Sequence, residues 1–145
     1  MPSRPATSRR HQCAALPLSR EGAELRVMLV TSRETRRWVI PKGWIEKRHS
    51  PAAQAAQEAF EEAGIRGRIA KAPIGRYAYP KRLANGTSVT CEVEVYPLEV
   101  EHLLESWPEM AERERRWFTL AEAAALVQEG GLCSLMLGLV PPTTA

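Results

Sequence analysis

Cysteine is scarce in this chain of 145 residues. Cys13, Cys91 and Cys133 are odd in number, far apart and without a C-x-x-C pair. That pattern argues against both a disulfide framework and a zinc site, and a reducing cytoplasm is the expected home. Long apolar runs are missing too: the most apolar tract, Leu132 to Val140, is too short to span a bilayer. Arginines near the N-terminus have no apolar stretch behind them, so no secretory signal is expected. There is no long basic block, and a net charge of +3 suits an anionic ligand without requiring one. With no internal repeat and no linker, one domain is expected over residues 10–140. A flexible basic arm precedes it over residues 1–9, and a Pro-rich tail follows over 141–145.

What is present reads as strands and a few helices. Gln12 to Leu18 suits a first strand, followed by a turn around Gly22. Leu25 to Thr31 is apolar enough for a central strand. Trp38 to Ile40 suits a short strand, after which Pro41 and Gly43 should break regular structure. Gly67 to Tyr79 reads as one long strand that turns at Asn85-Gly86 and returns over Thr87 to Tyr96. On the return, Val89, Cys91, Val93 and Val95 alternate with Thr90, Glu92 and Glu94. Glu99 to Glu114 is acidic and irregular, and Arg115 to Phe118 is a short strand. Thr119 and Glu122 form a capping box for a helix reaching about Gln128. Gly130-Gly131 should end that helix, with another over Leu132 to Leu139. This order predicts an α/β fold, an α/β/α sandwich with a mixed sheet between helices.

The stretch Gly43 to Ile65, GWIEKRHSPAAQAAQEAFEEAGI, is the most informative. Ser50 is an N-cap, Pro51 suits the first helical position and Gly64 suits the stop. Ala52, Ala55, Ala56, Ala59, Phe60 and Ala63 share one helical face; Glu58, Glu61 and Glu62 share another. No Lys or Arg sits one turn before any of these glutamates. Two carboxylates about 6 Å apart repel by roughly 3 kcal/mol at an effective dielectric near 20. On an open surface the face is simply solvated; in a cleft it calls for a hard cation such as Mg²⁺ or Mn²⁺.

Gly43, then Glu58, then Glu61-Glu62-Ala63-Gly64-Ile65 has the spacing of a Nudix box, and Arg37-Trp38-Val39-Ile40-Pro41-Lys42-Gly43 resembles its approach. The chain resembles a Nudix hydrolase over roughly Arg10 to Leu139. The resemblance implies a box helix packed on the sheet, with Glu58, Glu61 and Glu62 as metal ligands. Two positions depart from the pattern: His49 stands for a Glu and Gln57 for an Arg. His49 could hydrogen-bond in the loop, ligate a metal or be merely exposed. Gln57 can donate to Glu61 one turn on but brings no charge.

The nearest branch is the one that includes diphosphoinositol polyphosphate phosphohydrolases and diadenosine polyphosphate hydrolases. Thr31-Ser32-Arg33, Arg37-Trp38 and Arg115-Arg116-Trp117-Phe118 carry that likeness. It implies that Arg10, Ser32, Arg33, Lys42, Gly43 and Lys81 or Arg82 touch substrate phosphates. It also implies Glu58 as the catalytic base, with Glu61 second; Glu112, or less so Glu109, is the candidate for an extra base outside the box. Trp44, Tyr77 and Tyr79 either pack or stack on a base, while Trp38 and Trp117 belong in the core. The expected activity is metal-assisted hydrolysis of a phosphoanhydride in a nucleoside diphosphate-X compound, such as a dinucleoside polyphosphate. The alternatives are a nucleotide- or polyphosphate-binding module weakened by His49 and Gln57, and an RNA-end processing or RNA-binding protein. The resemblance leaves oligomeric state open.

Overall fold

Strand β1 runs from Arg9 to Glu21 and β2 from Glu24 to Thr31, joined through Gly22 at a φ of 60°. They open a computed structural model that describes residues 9–140. The expected arm and tail lie outside the described residues, except that Arg9 already belongs to β1. The other elements are β3 (Trp38–Val39), β4 (Lys42–Trp44), α1 (Pro51–Ala63), β5 (Ile65–Ile69), β6 (Gly75–Arg82) and β7 (Ser88–Leu103). Then come β8 (Arg115–Thr119), α2 (Leu120–Leu126) and α3 (Gly130–Leu137).

The strands form one mixed sheet with the order β3-β2-β1-β7-β5; β4 joins β1, β6 joins β7 and β8 joins β2. β1 and β7 are parallel, with Gln12 opposite Val93; every other pairing is antiparallel. One face carries α1 over Cys13, Ala15, Met28 and Val30. The opposite face carries α2 and α3 over Ala14, Leu16, Val27 and Leu29. Successive β1 residues alternate between the two cores, as strand geometry requires. The expected α/β/α sandwich with its mixed sheet is what the chain adopts.

Four local expectations need correction. Lys42 to Trp44 is a strand, because its backbone pairs with Gln12, Cys13 and Ala14 of β1. The long strand expected over Gly67 to Tyr79 is two strands laid end to end along β7. Between them the chain steps out at Pro73, which has no N–H for a ladder. β7 continues through the acidic tract as far as Leu103, paired with β5. Finally, Gly130-Gly131 begins α3 and does not end α2, which stops at Leu126 with Val127 as its C-cap. A side chain on Gly131 would strike Tyr77 of β6, so glycine lets α3 dock there.

Candidate active site

Helix α1 forms as its sequence predicts. The Ser50 hydroxyl accepts from the Ala53 N–H, Pro51 opens the first turn, and Gly64 closes the helix at a φ of 66°. Its burial pattern differs from the expected one. Ala55, Ala59 and Ala63 are buried, but Ala52, Ala56 and Phe60 only partly so, while Gln54 and Glu62 are buried as well. The stripe Gln54-Glu58-Glu62 therefore adjoins the core instead of facing away from it. Alanine on the packed side lets the helix ride close to the sheet. A Cβ at Gly43 would collide with the Glu58 carboxylate, so this glycine gives that carboxylate its place above β4.

Gln54 Nε2 donates to Glu58 Oε2 at 2.6 Å, and the Glu58 and Glu62 carboxyls are within hydrogen-bonding reach of each other. Burial raises the Glu58 pKa. Burial also pushes Glu62 up to about 8, against the pull of Arg113 and with the repulsion of Glu58. Glu61 is placed differently: its Oε2 accepts from Gln57 Nε2 at 2.8 Å, the bond expected of Gln57, and it does not line the cleft.

The loop between β7 and β8 completes the site, and it is held by the end of α1. Trp107 Nε1 donates to the Glu62 carbonyl at 3.1 Å, and the Glu109 N–H donates to the Glu61 carbonyl at 3.0 Å. Arg115 donates to the carbonyls of Ala63 and Leu104, both at 2.8 Å, and stacks on Trp107. These bonds satisfy the orphan carbonyls of the helix terminus. They also bring Glu109 and Arg113 to the acids. Arg113 lies 3.8 Å from Glu62 and 2.7 Å from Glu109, and donates to the Thr31 carbonyl at 3.1 Å. A buried guanidinium from a distant loop thus gives Glu62 a counter-charge that box position 57 does not supply. Sequence reasoning missed Arg113, because in sequence it is one arginine among several in a polar loop. Of the two loop acids, Glu109 lines the cleft; Glu112 lies outside its lining and takes Arg33 at 3.2 Å.

The cleft has a volume of about 870 Å³. Of the residues named from the sequence, it gathers Ser32, Arg33, Lys42, Gly43, Glu58, Glu62, Lys81 and Arg82, and also Trp44, Tyr79 and Glu109. Arg10 sits on β1 opposite Cys91 and is not part of the lining. The Ser32 hydroxyl is engaged within its own loop, by Thr35 Oγ1 at 2.7 Å and the Arg37 N–H at 3.2 Å. Lys42 is half-buried beside the Tyr79 ring, 5.4 Å from its centroid, and desolvation there lowers its pKa. No ion pair holds Lys42 among the described residues, so it is available to an anion. His49 lies exposed in the loop before α1. Tyr77 and Tyr79 are buried and pack. Trp38 and Trp117 are partly buried against the two cores.

Among the described residues no three His, Cys, Asp or Glu side chains converge as a ready metal cage. Two carboxylates do converge, Glu62 buried and Glu58 half-buried, both with raised pKa values. Hard oxygen donors that a low-dielectric cleft drives toward neutrality fit a divalent cation of the Mg²⁺ type.

A sheet between helices, with an acidic helix edge over a cation-lined cleft, is an architecture for handling phosphate groups. A family model described as the NUDIX domain matches residues 9–132, and the chain belongs to that family. The family generally uses divalent metal ions such as Mg²⁺. Nudix hydrolase 12, mitochondrial, of Arabidopsis thaliana is 34% identical over 106 residues, covering 71% of this chain and 52% of the relative. Diphosphoinositol polyphosphate phosphohydrolase 3-beta of Bos taurus is 32% identical over 118 residues, covering 79% of this chain and 68% of the relative. The chain thus spans about half the length of the first of these. The fold is also that of the Caenorhabditis elegans Ap4A hydrolase crystal structure, at a TM-score of 0.64 and 15% identity, covering 88% of this chain and 93% of the other. No helix among the described residues is long and apolar enough to cross a membrane.

Proposed function

We propose that the protein hydrolyses a phosphoanhydride bond in a nucleoside diphosphate-X compound, with Mg²⁺ or Mn²⁺ at the acidic edge of α1. One observation carries this reading: Glu58 and Glu62 meet in a cleft whose other walls bear Arg33, Lys42, Lys81 and Arg82. Acids alone would repel a polyphosphate and cations alone would only bind it; the two together can hold a divalent ion and its phosphate partner. Kinship with proteins named for diphosphoinositol polyphosphate and Ap4A supports a polyanionic substrate, a dinucleoside polyphosphate among the candidates.

Glu58 and Glu62 would hold the ion. Glu61 joins them when its Oε2 leaves Gln57 Nε2. When bound, such an ion supplies charge neutralisation on the phosphate chain and eases the deprotonation of water. Lys42, desolvated and unpaired, offers its Nζ to a phosphate oxygen, and the spreading charge of the transition state falls to Arg33, Lys81 and Arg82. Arg33 must then exchange Glu112 for phosphate. A Glu58 oxygen not engaged by the ion would take the proton of the attacking water. Glu109 lies in the same cleft as a second proton acceptor outside the box.

The test is nucleotide release from a panel of dinucleoside polyphosphates with Mg²⁺ or Mn²⁺, in the natural chain and in Glu62→Gln. We expect hydrolysis that requires the ion and falls at least about 100-fold in the variant. Equal rates in the two proteins would overturn the reading.

A further inference from the structure

Strand β4 divides the cleft. Its central residue, Gly43, faces α1, where the Glu58 carboxylate sits. Alternation turns its neighbours to the other face of the sheet. Lys42 is there, beside the Tyr79 ring. Trp44 follows on the same side, directly opposite Gln12 of β1. β4 pairs with β1 alone, so its outer edge carries no further strand. A ligand with phosphates at the acids can therefore cross that edge and lay its other end on the Trp44 side.

The indole of Trp44 is unusual in this molecule. It is 39% exposed, while Trp38 and Trp117 pack against the cores and Trp107 lies under the Arg115 guanidinium. Among the four tryptophans Trp44 alone lines the cleft. Core packing does not explain its place, since no apolar cluster includes it. Beside it the Tyr79 hydroxyl donates to Gln12 Oε1 at 2.7 Å, which fixes the amide of a cleft-lining residue and leaves its Nε2 free of that bond as a donor. The hairpin residues Leu83 and Ala84 give the same cleft an apolar lip. A flat aromatic wall, an adjacent amide donor and an apolar lip suit a heteroaromatic ring better than a polyhydroxylated one.

We propose that Trp44 is the platform on which the base of a nucleotide substrate stacks, and so selects base-bearing polyphosphates over base-free ones. This rests on the phosphoanhydride reading above and adds to it the means of telling substrates apart. Every base has a π-face, so the platform sets the preference for a base without choosing among bases.

The experiment compares Trp44→Ala and Trp44→Phe on a diadenosine polyphosphate and on a diphosphoinositol polyphosphate. Trp44→Ala should lower kcat/KM for the base-bearing substrate about tenfold or more, mainly through KM, in keeping with the worth of base stacking. It should leave the base-free substrate within about twofold, and Trp44→Phe should recover most of the loss. An equal loss on both substrates, or no loss, overturns the proposal. A second measurement needs no turnover: adenosine triphosphate should quench tryptophan fluorescence in the natural chain, and the quench should vanish in Trp44→Phe. No quench, or one that survives the substitution, overturns it as well. Absence of hydrolysis with the quench intact would instead count against the hydrolase reading alone.

Discussion

The helices on the two faces of the sheet bring different kinds of side chain to them. Helices α2 and α3 press Leu120, Leu132 and Met136 onto Leu16, Leu29 and Tyr77, bulky groups that fill the layer with apolar volume. Helix α1 brings only Ala55, Ala59 and Ala63 to its face, over Cys13 and Ala15 and the larger Met28, Val30 and Leu98. Small side chains give up burial energy, at about 0.8 kcal/mol per missing methylene, and gain proximity. That proximity is what places the Glu58 carboxylate against the backbone of β4. One face stores stability; the other gives some of it up to hold acids in a fixed position. Substitutions on the two faces should then fail in different ways.

The largest effect is expected at Gly43. A methyl group there has no room unless Glu58 moves, and Glu58 has Gln54, Glu62 and the helix backbone behind it. Gly43→Ala should cut hydrolysis about 100-fold or more, because a displacement near 1 Å at a reacting group costs about that much. Circular dichroism and the melting temperature should change little, since β4 keeps its pairing with β1. Normal activity in this variant would show that the close approach of Glu58 to β4 is incidental.

Much of this arrangement was legible before any coordinates. Ser50, Pro51 and Gly64 mark the ends of α1 by local chemistry, and the observed caps are those residues. The capping box of Thr119 and Glu122 forms as read. The alternation from Val89 to Val95 correctly marks one buried face of β7. What escaped was non-local. β4 is a strand only because β1 passes beside it, and three residues around a glycine give no periodic signal. β7 runs on to Leu103 because β5 returns along it, a pairing that the charges of Glu99 and Glu101 obscure. Arg113 reaches Glu62 only through the folding of a loop onto the carbonyls at the end of α1. The acids of the box and the bond from Gln57 to Glu61 could be named from spacing, but that Glu62 is buried while Glu61 stays out of the cleft depends on how the helix packs on the sheet.

A matched pair of substitutions sharpens the contrast between the faces. Leu132→Ala removes a side chain that is 1% exposed, and should destabilise by about 2–5 kcal/mol. The folded fraction should keep the natural kcat/KM, because nothing on α3 positions the acids. Ala59→Leu overpacks the other face, where Ala59 has no exposure at all, and should cost about 1–3 kcal/mol. It also lifts α1, so activity per folded molecule should fall about tenfold. Melting curves together with active-site titration separate the two outcomes. If Leu132→Ala loses activity per folded molecule as Ala59→Leu does, the two faces are not functionally distinct.

The smallest effect is expected at Gln57. This residue is exposed and holds Glu61, not the buried Glu62, whose counter-charge is Arg113. An arginine at position 57 would add an exposed charge pair with Glu61, and such pairs are worth about 0–1 kcal/mol. Gln57→Arg should therefore change kcat/KM by no more than about threefold in either direction. Steady-state kinetics on the substrate identified by the panel would decide it. A rise of a hundredfold would mean that Arg113 does not substitute for the box arginine and that the natural chain is a weakened catalyst. A change within the expected range would instead place the counter-charge of Glu62 on Arg113, in the loop between β7 and β8, and leave position 57 to Glu61 alone.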